Sequence, residues 1–259
     1  MEPQRSIITL FDRYVGKPAL VIGGGPSARI DLPVLDEAGF KPEVVFSANE
    51  HGLYQGHFKV DYIVNVDKIH CARREPMEPY LRKFGLPLIN THSWADYRLV
   101  NWPWGVNSGL TAIAVAAALS AAPVVVVGID FHGVGHNYFY KEDGRAAAEH
   151  RRASLTGQHR QHCEDLSRKL KACPIRPVGG GLVEFFPKWT PDEKFGVPEP
   201  IPYRVNALAK EIHTYEVLDA RFALKTSDRP AVGTRLQLMA GEARPGLDKG
   251  WLRRVNSAG

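Results

Sequence analysis

The apolar positions of this chain fall into short runs separated by longer amphipathic ones. Ala19–Ile22 is a four-residue apolar run that stops at Gly23-Gly24-Gly25-Pro26-Ser27. A run this short, closed by a glycine turn, predicts a buried strand. Ile30 to Ala38 follows with spaced apolar residues among acids, the pattern of a helix. Further strands are predicted over Glu43–Ala48, ending at Asn49, over Asp61–Val66, ending around Asn65 and Asp67, and over Leu86–Asn90. Ser108 to Ala122 is rich in alanine and predicts a helix. Val124–Val127 is the most apolar strand and runs into Gly128-Ile129-Asp130-Phe131. Four consecutive valines suit a strand covered on both faces, the habit of parallel sheets. Strand and helix alternate, which predicts a doubly wound α/β domain with a mostly parallel sheet.

Leu155 to Ala172 is polar and basic with spaced Leu166 and Leu170, a surface helix, and Pro174–Val178 supplies a last strand. Residues 187–202 carry five prolines and predict an extended connector or lid. From about Tyr203 the character changes: a helix-like piece over Val205–Ile212 precedes short alternating runs such as Thr234–Leu238. The expected organisation is an α/β domain over 1–186, the connector over 187–202 and a small α+β appendage over 203–259.

The chain has 259 residues, 44% apolar and 24% charged, which is ordinary globular usage and excludes collagen, coiled coil and wholesale disorder. Its net charge is +5. Residues 221–259 hold eight lysines and arginines against three acids, a net +5 that equals the excess of the whole chain. That mild basicity permits an anionic ligand without demanding nucleic acid. Cys71, Cys163 and Cys173 form no CxxC pair, which points to a reducing cytoplasm. The first 25 residues show no signal-peptide pattern. The most hydrophobic stretch, Ala112 to Ile129, is broken by Ser120 and Pro123, whereas a membrane span needs about 20 continuous apolar residues. No span is expected.

Candidate chemistry concentrates at the predicted strand ends. In parallel α/β sheets, ligands bind beyond the carboxyl ends of the strands. A turn such as Gly24-Gly25-Pro26-Ser27 lets backbone approach a phosphate at the head of the following helix, with Ser27 adding a hydroxyl or a cap. The turn is neither GxGxxG nor a P-loop, and a plain tight turn explains it equally well. Asn49, Asn65, Asp67, Asn107-Ser108-Gly109 and Asp130 also follow apolar runs. Asparagine offers both donor and acceptor for a base or ribose, although Asn and Asp also simply favour turns. Of the ten histidines, five cluster at His132, His136, His150, His159 and His162. One of them suits a general base, and Asp130, His132 and His136 offer a weak metal-ligand alternative. Arg151, Arg152, Arg160, Arg168, Lys169 and Lys171 surround the cluster and suit a diphosphate or a solvated helix face equally. Trp94, Trp102 and Trp104 can stack on a sugar or pack in the core. With neither GxSxG nor HExxH present, covalent catalysis has no positive support.

The ordered set VIGGGPS, FSANEHG, YIVNVD, NSGLTAIAVAAAL, VVVVGIDF and NYFY resembles the bacterial sialyltransferases of glycosyltransferase family 42. It is similarly close to the related motility-accessory and hydroxymethylpterin-pyrophosphokinase-like group, over roughly residues 18–186. The resemblance implies a Rossmann-like transferase domain with a nucleotide or nucleotide-sugar donor in the strand-end crevice and a hydroxyl acceptor. By that resemblance Gly25, Pro26, Ser27, Asn49 and Asn65 hold a cytidine monophosphate moiety, with Gly24, Ser108 and Gly109 beside it. Tyr138 is the match for a phosphate-contacting tyrosine, but His132 stands directly after Phe131 where the family has tyrosine. His159 is the nearest counterpart of the family's base, with His162 and His150 as rivals, and Asp130 joins the candidate catalytic set. No metal cofactor is required on this reading. The pyrophosphokinase-like branch instead carries an aspartate after the third strand, matched by Asp67, and would use ATP with Mg²⁺ near Asp67 or Asp130. Val232 to Val255 looks weakly like accessory modules of phage proteins, so a non-catalytic scaffold docking a partner through the basic appendage is a third expectation. An oligomer is left open.

Overall fold

The computed structural model describes residues 5–70, 75–104, 107–130, 159–204, 212–223 and 229–255. The chain enters through a two-residue strand β1 (Arg5–Ser6). It then lays down β2 (Ala19–Ile22), α1 (Ala28–Glu37), β3 (Val44–Ala48) and β4 (Tyr62–Val64). A small antiparallel ribbon of β5 (Ile69–His70) and β6 (Glu75–Pro76) leads into α2 (Met77–Arg82). β7 (Leu88–Asn90), β8 (Tyr97–Arg98), α3 (Ser108–Ala118), β9 (Val124–Val127) and β10 (Ile175–Pro177) complete the main body. Eight of these strands form one all-parallel sheet in the order β1-β8-β7-β4-β3-β2-β9-β10. The fold is the doubly wound α/β, Rossmann-like architecture that the alternating pattern predicts.

Period-2 alternation divides each strand between two cores. Ala19, Val21, Val44, Phe46, Val124 and Val126 point toward α3, every residue of which is buried. Leu20, Ile22, Val45, Val125 and Val127 point toward α1, which supplies Ala28, Leu32 and Leu35. The four valines are therefore used two per face, which is why that run tolerates no polar residue. Residues 159–169 are helical and bring Cys163, Leu166 and Leu170 onto the α3 side, so this basic segment is half core and half surface.

From β2 the chain moves outward through β3, β4, β7 and β8. It then recrosses through α3 to place β9 on the opposite flank of β2. The order of strands reverses between β2 and β9, and a crevice opens at such a switch point beyond the strand carboxyl ends.

Residues 187–201 contain no strand or helix, but they are strapped to the body. Trp189 is buried edge-on to Phe40, and Ile201 lies in the α3-side core. A second sheet, β12-β11-β13, is antiparallel and consists of β11 (Ile212–Val217), β12 (Arg235–Met239) and β13 (Leu252–Val255), with a helix Ala240–Asp248. Tyr215, Val217, Phe222, Leu236, Leu238, Ala243 and Leu252 make its own core. It meets the main sheet at Gln237, whose Oε1 accepts the Ser6 N–H and whose carbonyl accepts from the Arg98 guanidinium. Ile212, expected at the end of a helix-like piece, instead opens β11; residues 205–211 lie outside the described residues. Trp102 and Trp104 pack edge-on with each other and with Tyr203 against the α3-side core.

Phe46 is fully buried and stacks on Tyr62 at 5.6 Å. Phe46→Ala is expected to cost about 3–5 kcal/mol through lost transfer and a residual cavity. Urea unfolding checks this, and an unchanged midpoint would contradict the face assignment.

Candidate functional site

The strand ends are built from the ladder outward. The β3–β4 register ends at Ala48↔Val64 and the β4–β7 register at Val64↔Ile89, and the next N–H groups still bond across: Asn49 to the Val64 carbonyl and Asn65 to the Ile89 carbonyl. Asn49, Asn65 and Asn90 therefore stand side by side at the carboxyl ends of three neighbouring strands. The β7–β8 and β8–β1 pairings continue the row to Arg98 and Ser6. In the other direction the β2–β3 pairing brings Gly24 next to Asn49.

Asn49 sits at φ 52°, a left-handed conformation that asparagine tolerates better than most residues. Its backbone carbonyl accepts from the Ser47 hydroxyl, and its Oδ1 accepts from Asn65 Nδ2 at 2.7 Å. Its Nδ2 donates to Asp67 Oδ2 at 3.4 Å, and that oxygen also accepts from the Ser108 hydroxyl at 3.2 Å. Ser108 in turn accepts the Val66 N–H. Asn107 caps α3 through Oδ1, which takes the N–H groups of Gly109 and Leu110, and so frees Ser108 for this network. Any side chain at Gly109 would press on that cap and on Ile129. Asn49, Asn65, Asp67, Ser108 and Gly109 are thus brought together as the sequence suggests. Asn90 completes the row and was not singled out in sequence. Asn65 Oδ1 and Asn90 Nδ2 are both buried without a hydrogen-bond partner.

A second cluster forms at the switch point. Asp130 Oδ2 accepts the Ser27 N–H at 2.9 Å, so the head of α1 is capped by a carboxylate from 103 residues along the chain. Ser27 itself makes no side-chain cap, contrary to the role its position suggests. Pro26 contributes a carbonyl that takes the Arg29 N–H. Gly23 and Gly25 donate to the carbonyls of Val127 and Gly128, which stitches the turn to the end of β9. A Cβ at Gly25 would stand 2.3 Å from Asp130 Oδ2, and one at Gly180 would stand 2.1 Å from Oδ1. The glycine turn is therefore shaped around an internal carboxylate, and the α1 head is not an open phosphate cradle. Gly180 also adopts φ 70°, ψ −168°, a region only glycine occupies freely. Gly179, next to it, leaves room for Asp31.

Asp31 was not singled out in sequence either. It lies in the first turn of α1, only 6% exposed, and burial pushes its carboxyl up to about 6. The nearby Ser27 hydroxyl and Lys188 pull it down, while Asp130 pushes it further up. The available signal was a second triple glycine, Gly179-Gly180-Gly181, following β10.

His159 and His162 open the helical stretch 159–169, which runs back toward the start of β10, so its first turn lies on the strand-carboxyl side. Arg160 anchors that turn on Glu184 at 2.9 Å, in the 3₁₀ segment Gly181–Glu184 directly after the glycine pair. Burial, then His162, holds the His159 imidazole below its ordinary pKa. His162 Nδ1 is buried without a partner. Tyr138, His132, His136 and His150 lie outside the described residues. The Cys163 and Cys173 thiols are pushed up to about 12 and about 11 by burial, which makes both poor nucleophiles. Among the described residues no group of three or more His, Cys, Asp or Glu side chains is arranged to hold a metal, and no helix is long and apolar enough to cross a membrane.

A cavity of about 1080 Å³ lies on the opposite side, between the amino ends of β7 and β8 and the second sheet. Its lining includes Arg82 and Asp96, which already neutralise each other at 2.7 Å, and Asp96 also takes the Leu88 N–H. It is a seam between sheets and contains none of the strand-end residues. No family model matches the chain, and neither a curated protein nor a solved structure matches it.

Two substitutions test this geometry. Gly25→Ala is expected to cost about 1–3 kcal/mol by overpacking against Asp130 and the Gly128 carbonyl, read by chemical denaturation; a neutral result would contradict the close approach. The folded pKa of Asp31 lies above its unfolded value of about 3.9, so its stabilising proton is held at low pH and lost as pH rises through about 6. Asp31→Asn keeps a neutral group there. In metal-free buffer at pH 7.5 it should melt higher than wild type, by about 1–3 kcal/mol of stability, with the gap closing toward pH 4.

Proposed function

We propose that the strand-end crevice binds a nucleotide and that the protein is a nucleotide-dependent transferase. The leading reading is glycosyl transfer from a nucleotide-activated sugar of the CMP type to a hydroxyl acceptor. The observation that carries it is the in-register row Gly24–Asn49–Asn65–Asn90 beside the switch point. Within it, one acceptor (Asn65 Oδ1) and one donor (Asn90 Nδ2) are buried without partners. Leaving such atoms unsatisfied costs about 1–3 kcal/mol each, and a base edge that offers a donor next to an acceptor, as cytosine does, would satisfy both once the two buried side chains turn toward the crevice. The fold, the switch point and the motif order are consistent with this reading.

In the proposed step the acceptor oxygen attacks the anomeric carbon. The bond from that carbon to the donor phosphate breaks, and the nucleotide leaves with the electron pair. The acceptor proton passes to the neutral imidazole of His159, or to His162 beside it. Positioning in the crevice supplies most of the acceleration.

A second reading, pyrophosphoryl transfer from ATP to a small hydroxymethyl acceptor, is favoured by one observation. Asp130 holds the head of α1, where a bare phosphate would otherwise dock, so a phosphate arriving there needs a cation between the two negative charges.

Thermal melting against CMP, CTP and ATP, each with EDTA and with Mg²⁺, separates the two. Stabilisation by CMP and CTP in EDTA is expected for glycosyl transfer. Stabilisation by ATP with Mg²⁺ alone selects the second reading, and no response to any nucleotide contradicts both. Once a turnover assay is in hand, His159→Ala should lower kcat about 10²–10⁴-fold with donor affinity within about twofold; unchanged kcat removes His159 from the mechanism.

A further inference from the structure

Two carboxylate oxygens at the switch point, Asp31 Oδ2 and Asp130 Oδ1, are buried without a hydrogen bond of good geometry, and Ser27 Oγ, which acts on the Asp31 carboxyl, is buried beside them. They lie around the Gly179–Gly180 turn, where Ser27 and Asp130 both act on the Asp31 carboxyl. The position of a Cβ on Gly180 lies 2.1 Å from Asp130 Oδ1 and 3.1 Å from Ser27 Oγ, and that of Gly179 lies 2.6 Å and 3.0 Å from the two Asp31 oxygens. Asp31 is more than nine-tenths buried. A core that merely needed filling would not gather two carboxylates and a hydroxyl under a pair of glycines. Buried carboxylates of like sign are costly unless a positive charge lies between them. Lys188, the one cation that acts on Asp31 among the described residues, is itself exposed.

Asp130 is also held in a posture that suits a ligand. The Ser27 N–H fixes Oδ2, which leaves Oδ1 turned toward the glycine turn and toward Ser27 Oγ. Asp67, the other carboxylate of the crevice, differs: its Oδ2 already accepts from Ser108 and Asn49. The buried carboxylate oxygens of the crevice that lack partners therefore lie on the α1 side, whereas Asp67 is only half-buried.

We propose that Asp31, Asp130 and Ser27 bind a divalent cation of the Mg²⁺ or Mn²⁺ class beneath the Gly179–Gly180 turn. Two carboxylates and one hydroxyl supply a minority of an octahedral oxygen shell. That is the habit of ions which keep water and recruit phosphate, whereas a Ca²⁺ site takes more protein oxygens. Resting on the nucleotide reading, the donor's phosphate would complete that shell, with the cation screening it from Asp130. The cation would then do at the head of α1 what the occupied helix terminus cannot.

The test is a titration of the full chain, stripped with EDTA and desalted, with MnCl₂ alone, following free Mn²⁺ by electron paramagnetic resonance and melting in parallel. One Mn²⁺ per chain is expected, with a Tm that rises with Mn²⁺ concentration. Asp31→Asn and Asp130→Asn should each weaken Mn²⁺ binding at least tenfold, and Asp67→Asn should leave it within twofold. Asp130→Asn retains an amide oxygen for the Ser27 N–H. Asp31→Asn is expected to melt no lower than wild type in EDTA at pH 7.5, so its loss of Mn²⁺ cannot be ascribed to unfolding. Absence of binding to wild type, unchanged affinity in either switch-point variant, or loss confined to Asp67→Asn overturns the site. Because nucleotide is absent from this titration, Mn²⁺ binding with no nucleotide response keeps the cation site and removes the nucleotide reading, and the reverse pair of results does the opposite.

Discussion

A single charge-assisted hydrogen bond organises the centre of this molecule. The carboxylate of Asp130, leaving the end of β9, accepts the N–H of Ser27 at the head of α1. An ionised acceptor at a helix amino terminus satisfies an orphan donor and faces the positive end of the helix dipole. The price is space. Gly25, Gly179 and Gly180 are needed because side chains there would overlap Asp130 or Asp31, and Gly128 turns at φ 68° to let its carbonyl meet Gly25. Two strands on either side of the topological reversal are thereby locked together at their carboxyl ends, where the sheet would otherwise splay.

With that corner locked, the remaining strand ends form a level row. Parallel pairing with unbroken register sets Asn49, Asn65, Asn90, Arg98 and Ser6 in line, one per strand. Asn49, Asn65, Asp67 and Ser108 tie one another into a fixed array that spans β3, β4 and the start of α3. The far end of the row is closed by Gln237 from the second sheet, which takes the Ser6 N–H and the Arg98 guanidinium. Polar groups thus line one edge of a sheet whose interior is apolar on both faces, and neighbouring atoms in that line still have hydrogen-bonding capacity to give.

Much of this was legible in sequence, and the reasons differ by element. The strands β2, β3 and β9 are apolar runs bounded by turn formers, and α3 is a buried alanine-rich helix, so periodicity and punctuation suffice. Asn49, Asn65 and Asp67 were legible as residues that end apolar runs, because parallel strands end on one side. Other features were not. β1 and β8 are two residues each, too short to carry a period, and exist only because the long sheet accepts them at its edge. The helix Ala240–Asp248 contains Pro245 and two glycines, which hid it among turn signals. The glycine turn after β2 suits a phosphate cradle or a plain tight turn equally when residues 23–27 are taken alone. The carboxylate that fills it comes from 103 residues away, and local pattern cannot report a contact of that range. Asp31 looked like an ordinary acid in a helical first turn, and only packing against the second triple glycine shows it to be buried.

Hydrogen–deuterium exchange on the full chain, with and without saturating CMP or CTP, tests the strand-end crevice most directly as the ligand site. The expected result is slowed exchange in peptides covering residues 22–28, 47–52, 64–68 and 88–92, with residues 212–255 unchanged. Slowed exchange confined to the second sheet, or none anywhere in the chain at saturating nucleotide, would contradict the placement of function at the carboxyl ends of the parallel strands.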